Sequence, residues 1–517
     1  MRKAQLTVLV AGIAIFSACE KKEAPEVKNY WPKAGVTYEI FVQSFNDSNG
    51  DGIGDLNGVT EKLDYVKELG ANAIWFMPIM PSPTYHKYDV TDYRAIHPDY
   101  GTMEDFKRLL EEAHKRDIKV VIDLIINHTS NQHPWFLESK SGRDNPYRDY
   151  YVWAQKDTIA DFLNKKTITL DSDNIRQWHD PGNGEDFYYG FFWGGMPDLN
   201  FDNQKLREEI YDIGRFWLEE VGVDGFRLDA AKHIFPDDRP LDNHAFWKEF
   251  RAKMEAVKPD VYLVGEVYDK KETVAPYLPG LPALFNFDFH YTLLDALNKE
   301  DGMLLATKQK GIIDFYQGIT PTFIDATFSS NHDQPRLLNE LGSDPAKYKQ
   351  ASLILMTMPG APYIYYGEEI GMLGLKPDEN IREPFLWDEK AKDKGRTSWI
   401  KPKYSTDKTV TPLAKQTGDP NSYFNHYKKL IAIRNSYPAL AIGTMELPTE
   451  KYPKTVMAYF RNSGKQEIFV VHNVGKEEVE IYLPDGFEES IFSLGGGEFA
   501  SGKLKLSGNS SRVYLKD

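Results

Sequence analysis

The chain has 517 residues, 41% of them hydrophobic and 13% aromatic, and a formal net charge of −15. That length exceeds one ordinary domain, although a large α/β barrel with insertions can fill most of it. The acidic balance disfavours nucleic acid, whose binding needs Lys and Arg against phosphates, and is compatible with a neutral polyol.

The chain opens on a targeting segment. Arg2 and Lys3 form a charged end, Leu6 to Phe16 an apolar core, and Phe16-Ser17-Ala18-Cys19 resembles a bacterial lipobox. The apolar run is too short to span a bilayer as a mature helix. A lipoprotein signal peptide over 1–18, lipidation at Cys19 and a charged, flexible tether over 19–30 are expected. The alternative is an ordinary signal peptide in which Cys19 is incidental. Cys19 is the sole cysteine, so no disulfide can form within the chain.

Val36 to Phe45 is β-branched and aromatic, and predicts a first strand. Asp47-Ser48-Asn49-Gly50-Asp51-Gly52-Ile53-Gly54-Asp55 follows. Oxygen side chains at every second position and Gly at the sixth copy the spacing of a calcium loop. Asp47, Asn49, Asp51 and Asp55 would supply side-chain oxygens, and Ile53 its carbonyl. Gly58 stands where an EF-hand has its bidentate Glu, so this is no EF-hand. The alternative is a solvated acidic turn, in which clustered acceptors repel one another. Thr60 to Leu69 predicts a helix stopped by Gly70, Asn72 to Pro78 a second strand, Glu104 to Lys115 a helix, and Lys119 to His128 a third strand.

From 129 to 195 the alternation breaks, and a loop of that length reads as a functional excursion. Trp193 near its end suits either a stacking surface or a core. Gln204 to Val221 is amphipathic and Ala351 to Met358 is a helical apolar run; Phe246 to Val257 leads into the strand ending at Glu266 and Asn425 to Asn435 closes the barrel, while Ala283 to Phe289 and Pro362 to Tyr366 predict strands. Beyond Ala439 come short alternating stretches: Val456 to Phe460, Glu467 to His472, Val479 to Tyr482 and Arg512 to Leu515. They predict an antiparallel β-domain.

Four apolar runs end in ionisable groups: Val120 to His128, Val221 to Asp229, Val261 to Glu266 and Ala326 to Asp333. Arg227 and Asp229, two apart on one strand, point the same way. A charged pair there is costly unless the two partner each other or meet a substrate, so a buried ion pair closing the strand end is the plainer alternative. Four such strands predict one parallel barrel, with its chemistry at the C-terminal ends of the strands.

These stretches resemble the conserved regions of the α-amylase family of retaining glycoside hydrolases. Asp123 to His128 resembles the first, Gly225 to His233 the second, Glu266 the third and Asn331-His332-Asp333 the fourth. Met196-Pro197-Asp198-Leu199-Asn200 is a further family signature. The resemblance runs from about Trp31 to the end of the chain, with the motifs in order. It implies a (β/α)8 TIM barrel with a B domain inserted after strand 3 and a C-terminal antiparallel β-domain. The barrel would occupy 31–128 and 196–438, the B domain 129–195 and the last domain 439–517.

The resemblance also implies roles. Asp229 would be the nucleophile and Glu266 the general acid/base, while Asp333 would bind hydroxyls of the distorted sugar. His86 and Tyr88, in Tyr85-His86-Lys87-Tyr88-Asp89, would border that sugar; many amylases have Gly where Lys87 stands. His128 and His332 would hydrogen-bond it, Lys232 and His233 would reach the leaving-group side, and Asp378 with Arg382 would hold the next sugar. The fixed charge of Arg227 would keep Asp229 ionised, and burial among carboxylates would let Glu266 keep a proton. Retention would set the two carboxyls about 5–5.5 Å apart. Ca2+ is the implied cofactor at the acidic loop, and Asn127 with the backbone of His233 offers a second calcium position.

The expected function is α-amylase hydrolysis of α-1,4-glucosidic bonds, by a monomer tethered through lipid to the cell envelope on its periplasmic or outer-surface face. An α-glucosidase, an oligo-1,6-glucosidase or a neopullulanase-like enzyme is the alternative, since Met196 to Asn200 mixes features of the last two. A non-catalytic surface glucan-binding protein is a third reading. Such relatives lose one of the three acids, and all three stand here.

Overall fold

The computed structural model describes residues 27–160, 169, 172, 174, 176–464 and 466–516. The predicted signal segment, Cys19 and most of the tether lie outside the described residues. Eight parallel strands close a barrel: β1 (Thr37–Ile40), β2 (Ala73–Phe76), β3 (Lys119–Leu124), β4 (Gly225–Leu228), β5 (Tyr262–Gly265), β6 (Ala283–Phe285), β7 (Ile324–Phe328) and β8 (Ala361–Tyr365). Neighbours pair in chain order, and β1 pairs with both β2 and β8. Each strand is buried on both faces, as parallel strands wrapped by helices must be. Trp75 on β2 meets Phe285 on β6 across the barrel, ring centres 5.4 Å apart. With Val121, Tyr262, Val264, Phe328 and Tyr363 they fill the interior. Burying each such large side chain contributes about 1.5–3 kcal/mol.

Several predicted strands are shorter in the structure. β1 stops at Ile40 and Val42–Phe45 turns helical, β3 stops at Leu124, and β6 stops at Phe285 so that Phe287–Asn298 begins a helix. The apolar signal continues past these ends because Phe41, Ile125 and Ile126 are buried in loops beneath the rim. Hydrophobic runs report burial, and here burial outlasts the ladder. The expected helix before Gly70 is two helices, Leu56–Glu61 and Leu63–Leu69, and Gly70 closes the second at φ 95°. The helix Gln204–Arg215 continues as a π-helical stretch, Phe216–Val221, ending at left-handed Gly222.

The excursion after β3 holds a three-stranded antiparallel sheet of Trp153–Gln155, Asp186–Tyr189 and Trp178–His179. Its return is stitched to the rim: Thr129 N donates to Pro197 O (3.1 Å) and Leu199 N to Asn127 O (2.9 Å). The C-terminal region is a five-stranded and a three-stranded antiparallel sheet, packed through Phe469, Val471, Ile481, Phe487, Leu504 and Tyr514. Gln350 ties it to the barrel by donating to Asn473 O and Ser510 O, both 3.1 Å.

Candidate active site

Barrel closure brings the charged strand ends together. Asp123 and Arg227 are register partners on β3 and β4. Arg227, 1% exposed, donates from Nη1 to both oxygens of Asp123 (2.9 and 3.0 Å) and to Asp229 Oδ1 (2.5 Å). From Nη2 it donates to Glu266 Oε2 (2.7 Å). One guanidinium thus holds the Asp229 and Glu266 carboxyls side by side, with the planar multi-donor geometry that suits arginine to this task. Ala230, directly after Asp229, is left-handed at φ 45°, a strained conformation of the kind that clusters at functional turns. Its N–H donates to Glu266 Oε2 (3.3 Å).

Asp229, Glu266 and Asp333 line one cleft of about 540 Å³, together with His86, Tyr88, His128, His233, Asp378 and Arg382. Burial pushes the Glu266 carboxyl up to about 7; Arg227 opposes the rise, and Asp229 and Asp333 add to it. A group that keeps its proton near neutrality is suited to general acid work. At Asp333 burial also disfavours the charge. His332 (Nε2 to Oδ2, 2.9 Å) and Arg382 (Nη2 to Oδ1, 2.9 Å) override it and hold the carboxyl well below the usual range. Asp378 sits 3.3 Å from Arg382, completing the pair at that end.

The remaining predicted residues divide. Arg227 and His332 lie beneath the cleft rather than on its wall, both nearly fully buried. Lys232 contacts Asp269 (3.3 Å). His86 accepts from Tyr88 N at Nδ1 (3.1 Å), and burial lowers its pKa to about 4. The ring is therefore neutral with its proton on Nε2, ready to donate. Lys87 is left-handed at φ 63° and 2% exposed. Glycine adopts that conformation freely, whereas a lysine there is strained. The Lys87 ammonium donates to Gln43 Oε1 (3.1 Å) over the Tyr100 ring, and burial lowers its pKa to about 8.

Sequence reasoning missed one wall of the cleft. Tyr268 stacks on Phe287 (4.2 Å) and lies nearly parallel to Tyr291 (6.2 Å), and all three line the cleft. Tyr268 stands two residues beyond Glu266, which was a usable signal; Tyr291 sits on a helix and offered none. Trp193 lines the cleft and is 48% exposed, which removes it from the core. Glu39, unremarked in the sequence, is buried against His332.

The acidic loop has donors suited to a hard cation, all of them oxygen. Gly50 and Gly52, at φ 85° and 93°, let the chain wrap. Its side chains also serve the loop itself. Asp47 accepts from Gly50 N (2.7 Å) and Gly52 N (2.8 Å), Asn49 from Asp51 N (2.9 Å), and Asp51 from Ile53 N (2.8 Å). Asp55 takes Ser48 N (2.8 Å) and caps the helix Leu56–Glu61 through Gly58 N (2.7 Å). Among the described residues no three Asp, Glu, His or Cys side chains gather as a metal cluster. At the second position, His128 faces oxygen on both ring nitrogens, Asn127 Oδ1 (2.9 Å) and Tyr88 O (3.1 Å), while burial lowers its pKa. A neutral ring has one N–H. Turning the Asn127 amide over satisfies His128 and points Oδ1 at the His233 carbonyl, which the amide now touches. The Asn127 amide and the His233 carbonyl carry oxygens of the kind a hard cation takes.

Comparison with known proteins fits this geometry. Residues 39–443 match the family model described as "Alpha amylase, catalytic domain", and residues 456–513 match "Alpha-amylase SusG C-terminal domain". The chain is 46% identical to "Alpha-amylase 3" of Dictyoglomus thermophilum, over 87% of this chain and 86% of that one. It is 34% identical to an oligo-1,6-glucosidase of Parageobacillus thermoglucosidasius, over 89% and 93% respectively. The solved structure of an α-amylase from H.orenii superposes with a TM-score of 0.86 at 43% identity, covering 94% of this chain and all of that one. The chain belongs to the α-amylase family and is a glycoside hydrolase.

Proposed function

We propose that the enzyme is an α-amylase that hydrolyses α-1,4-glucosidic bonds of starch, glycogen or maltooligosaccharides with retention of configuration. The observation that carries this reading is the single guanidinium of Arg227 bonded to both Asp229 and Glu266. Asp229 attacks the anomeric carbon while Glu266 gives its proton to the departing glycosidic oxygen. Glu266 then takes a proton from water, and that water displaces Asp229 from the anomeric carbon. Asp333, held by His332 and Arg382, binds hydroxyls of the reacting sugar, and His86 donates to one of them. The similarity to an oligo-1,6-glucosidase favours a second reading, cleavage of α-1,6 bonds in short oligosaccharides. Products from amylose, maltotriose, pullulan and isomaltose separate the two. The expected result is maltooligosaccharides of retained anomeric configuration by NMR, with isomaltose intact; inverted product would overturn the mechanism.

Calcium and anchoring belong to the same proposal. Asp47, Asn49, Asp51, Asp55 and the Ile53 carbonyl would hold one Ca2+, and Asn127 with the His233 carbonyl would contribute to a second. Bound there, calcium supplies cross-links between loops rather than chemistry. Its removal by chelator should lower Tm by several degrees, with recovery on adding calcium back. Cys19 would carry lipid and tether a monomer to the cell envelope. Cys19→Ser should release the enzyme from the membrane fraction with its activity intact.

A further inference from the structure

Glu39 lies on β1, 293 residues from His332, and its side chain is 1% exposed. Its Oε1 sits 2.5 Å from His332 Nδ1. The other ring nitrogen of His332 faces Asp333 Oδ2 at 2.9 Å and the Tyr88 hydroxyl at 2.6 Å. Tyr88 spends its own proton on Asp123 Oδ2 (3.1 Å), so towards His332 it can only accept. Both ring nitrogens therefore face acceptors. A neutral imidazole can serve one of them; an imidazolium serves both.

We propose that Glu39 is a positioning residue: by accepting a hydrogen bond from Nδ1–H of His332 it keeps Nε2 a donor towards Asp333, and so holds the carboxylate that faces the cleft. Without that charge the ring would hold one proton, and either the Glu39 side or the Asp333 side would lose its bond. The surroundings support this direction. Burial works against a charged His332, and Asp333 and Glu39 together override it, raising the ring to about 10. Asp123 and Glu266 stand on the same side of the balance, as both feel the His332 charge. Arg227 and Arg382 are the cations nearby; Arg382 donates to the His332 carbonyl rather than to the ring (3.0 Å). Trp75 packs edge-on and Tyr88 stacks on the ring, leaving it no room to turn. Tyr365 on β8 also faces Glu39, and burial holds its hydroxyl protonated.

The inference rests on the glycosidase reading only for its consequence, so the first measurement uses no substrate. Histidine-selective labelling, with His332 assigned through His332→Gln, follows the ring by NMR across pH; the chain has 12 histidines. In the wild type the ring should stay charged until about pH 10. In Glu39→Gln, which keeps an acceptor but loses the charge, it should titrate nearer the ordinary value of about 6.5. The kcat of Glu39→Gln should fall about tenfold with KM little changed, the loss of one charge-assisted bond. A wild-type His332 that titrates near neutrality overturns the proposal even if the variant does not fold. A titration identical in wild type and Glu39→Gln overturns it as well.

Discussion

Two groups of buried carboxylates stand on the same molecule and do different work. At the cleft, Asp123, Asp229 and Glu266 surround Arg227. Behind β8, Glu368 accepts from Ser329 Oγ (2.6 Å), Ser330 Oγ (3.0 Å) and Tyr427 OH (2.8 Å), and Glu369 accepts from Tyr38 (2.8 Å) and Tyr65. Burial lifts Glu266 and Glu368 alike to about 7. A raised carboxyl therefore does not by itself mark a catalytic acid. What separates the two is the cation bonded directly to Glu266 and the open cleft beside it; Glu368 feels Arg336 without an ion pair between them, meets hydroxyls in a closed core and acts as a strut beneath the loop that carries Asp333.

The largest expected effect tests the cleft side. Asp229→Asn should lower kcat on the order of 10⁴-fold, roughly 5.5 kcal/mol, while circular dichroism and Tm stay close to wild type. Arg227→Met should reach both stability and activity. It leaves Asp123, with its fully buried side chain, facing no cation, and the urea midpoint should report a loss of about 3–5 kcal/mol. If Arg227→Met were as stable as wild type, the comparison between the two groups would break.

Glu368→Gln sharpens it. The amide must satisfy the hydroxyls that the acid now accepts from, at a cost of about 1–3 kcal/mol by chemical denaturation. Its pH signature has a definite sign. The folded carboxyl sits at about 7 against 4.5 when unperturbed. Its contribution is fully present below about pH 4.5 and is lost as pH rises through 7. The variant cannot ionise, so its stability should fall less across that window. Its kcat/KM profile should keep the alkaline limb near pH 7, because that limb belongs to Glu266 losing its proton. Lys87→Gly is expected to be the smallest change. Relief of the left-handed backbone, about 1–2 kcal/mol, offsets the lost bond to Gln43. Tm should move by only a few degrees, with KM the parameter to watch.

Read from sequence alone, the chain declared what is local. Asp229 and Arg227 stand two apart on one strand, so a shared face followed from the alternation of the strand. Gly70 ended its helix, and the short alternating stretches beyond Ala439 became the antiparallel sheets. The acids at strand ends were legible because parallel barrels expose the C-terminal ends of their strands. Tertiary structure alone decided partners. Glu39 reaches His332 only once β1 closes against β8. Lys232 meets Asp269, and Tyr291 arrives from a helix to build a wall. The Asp55 oxygens serve a helix cap that spacing could not foresee. Periodicity records which faces lose water, and that is a property of neighbours in sequence. The group that satisfies a buried charge is chosen by chain closure over hundreds of residues, and no local pattern records it.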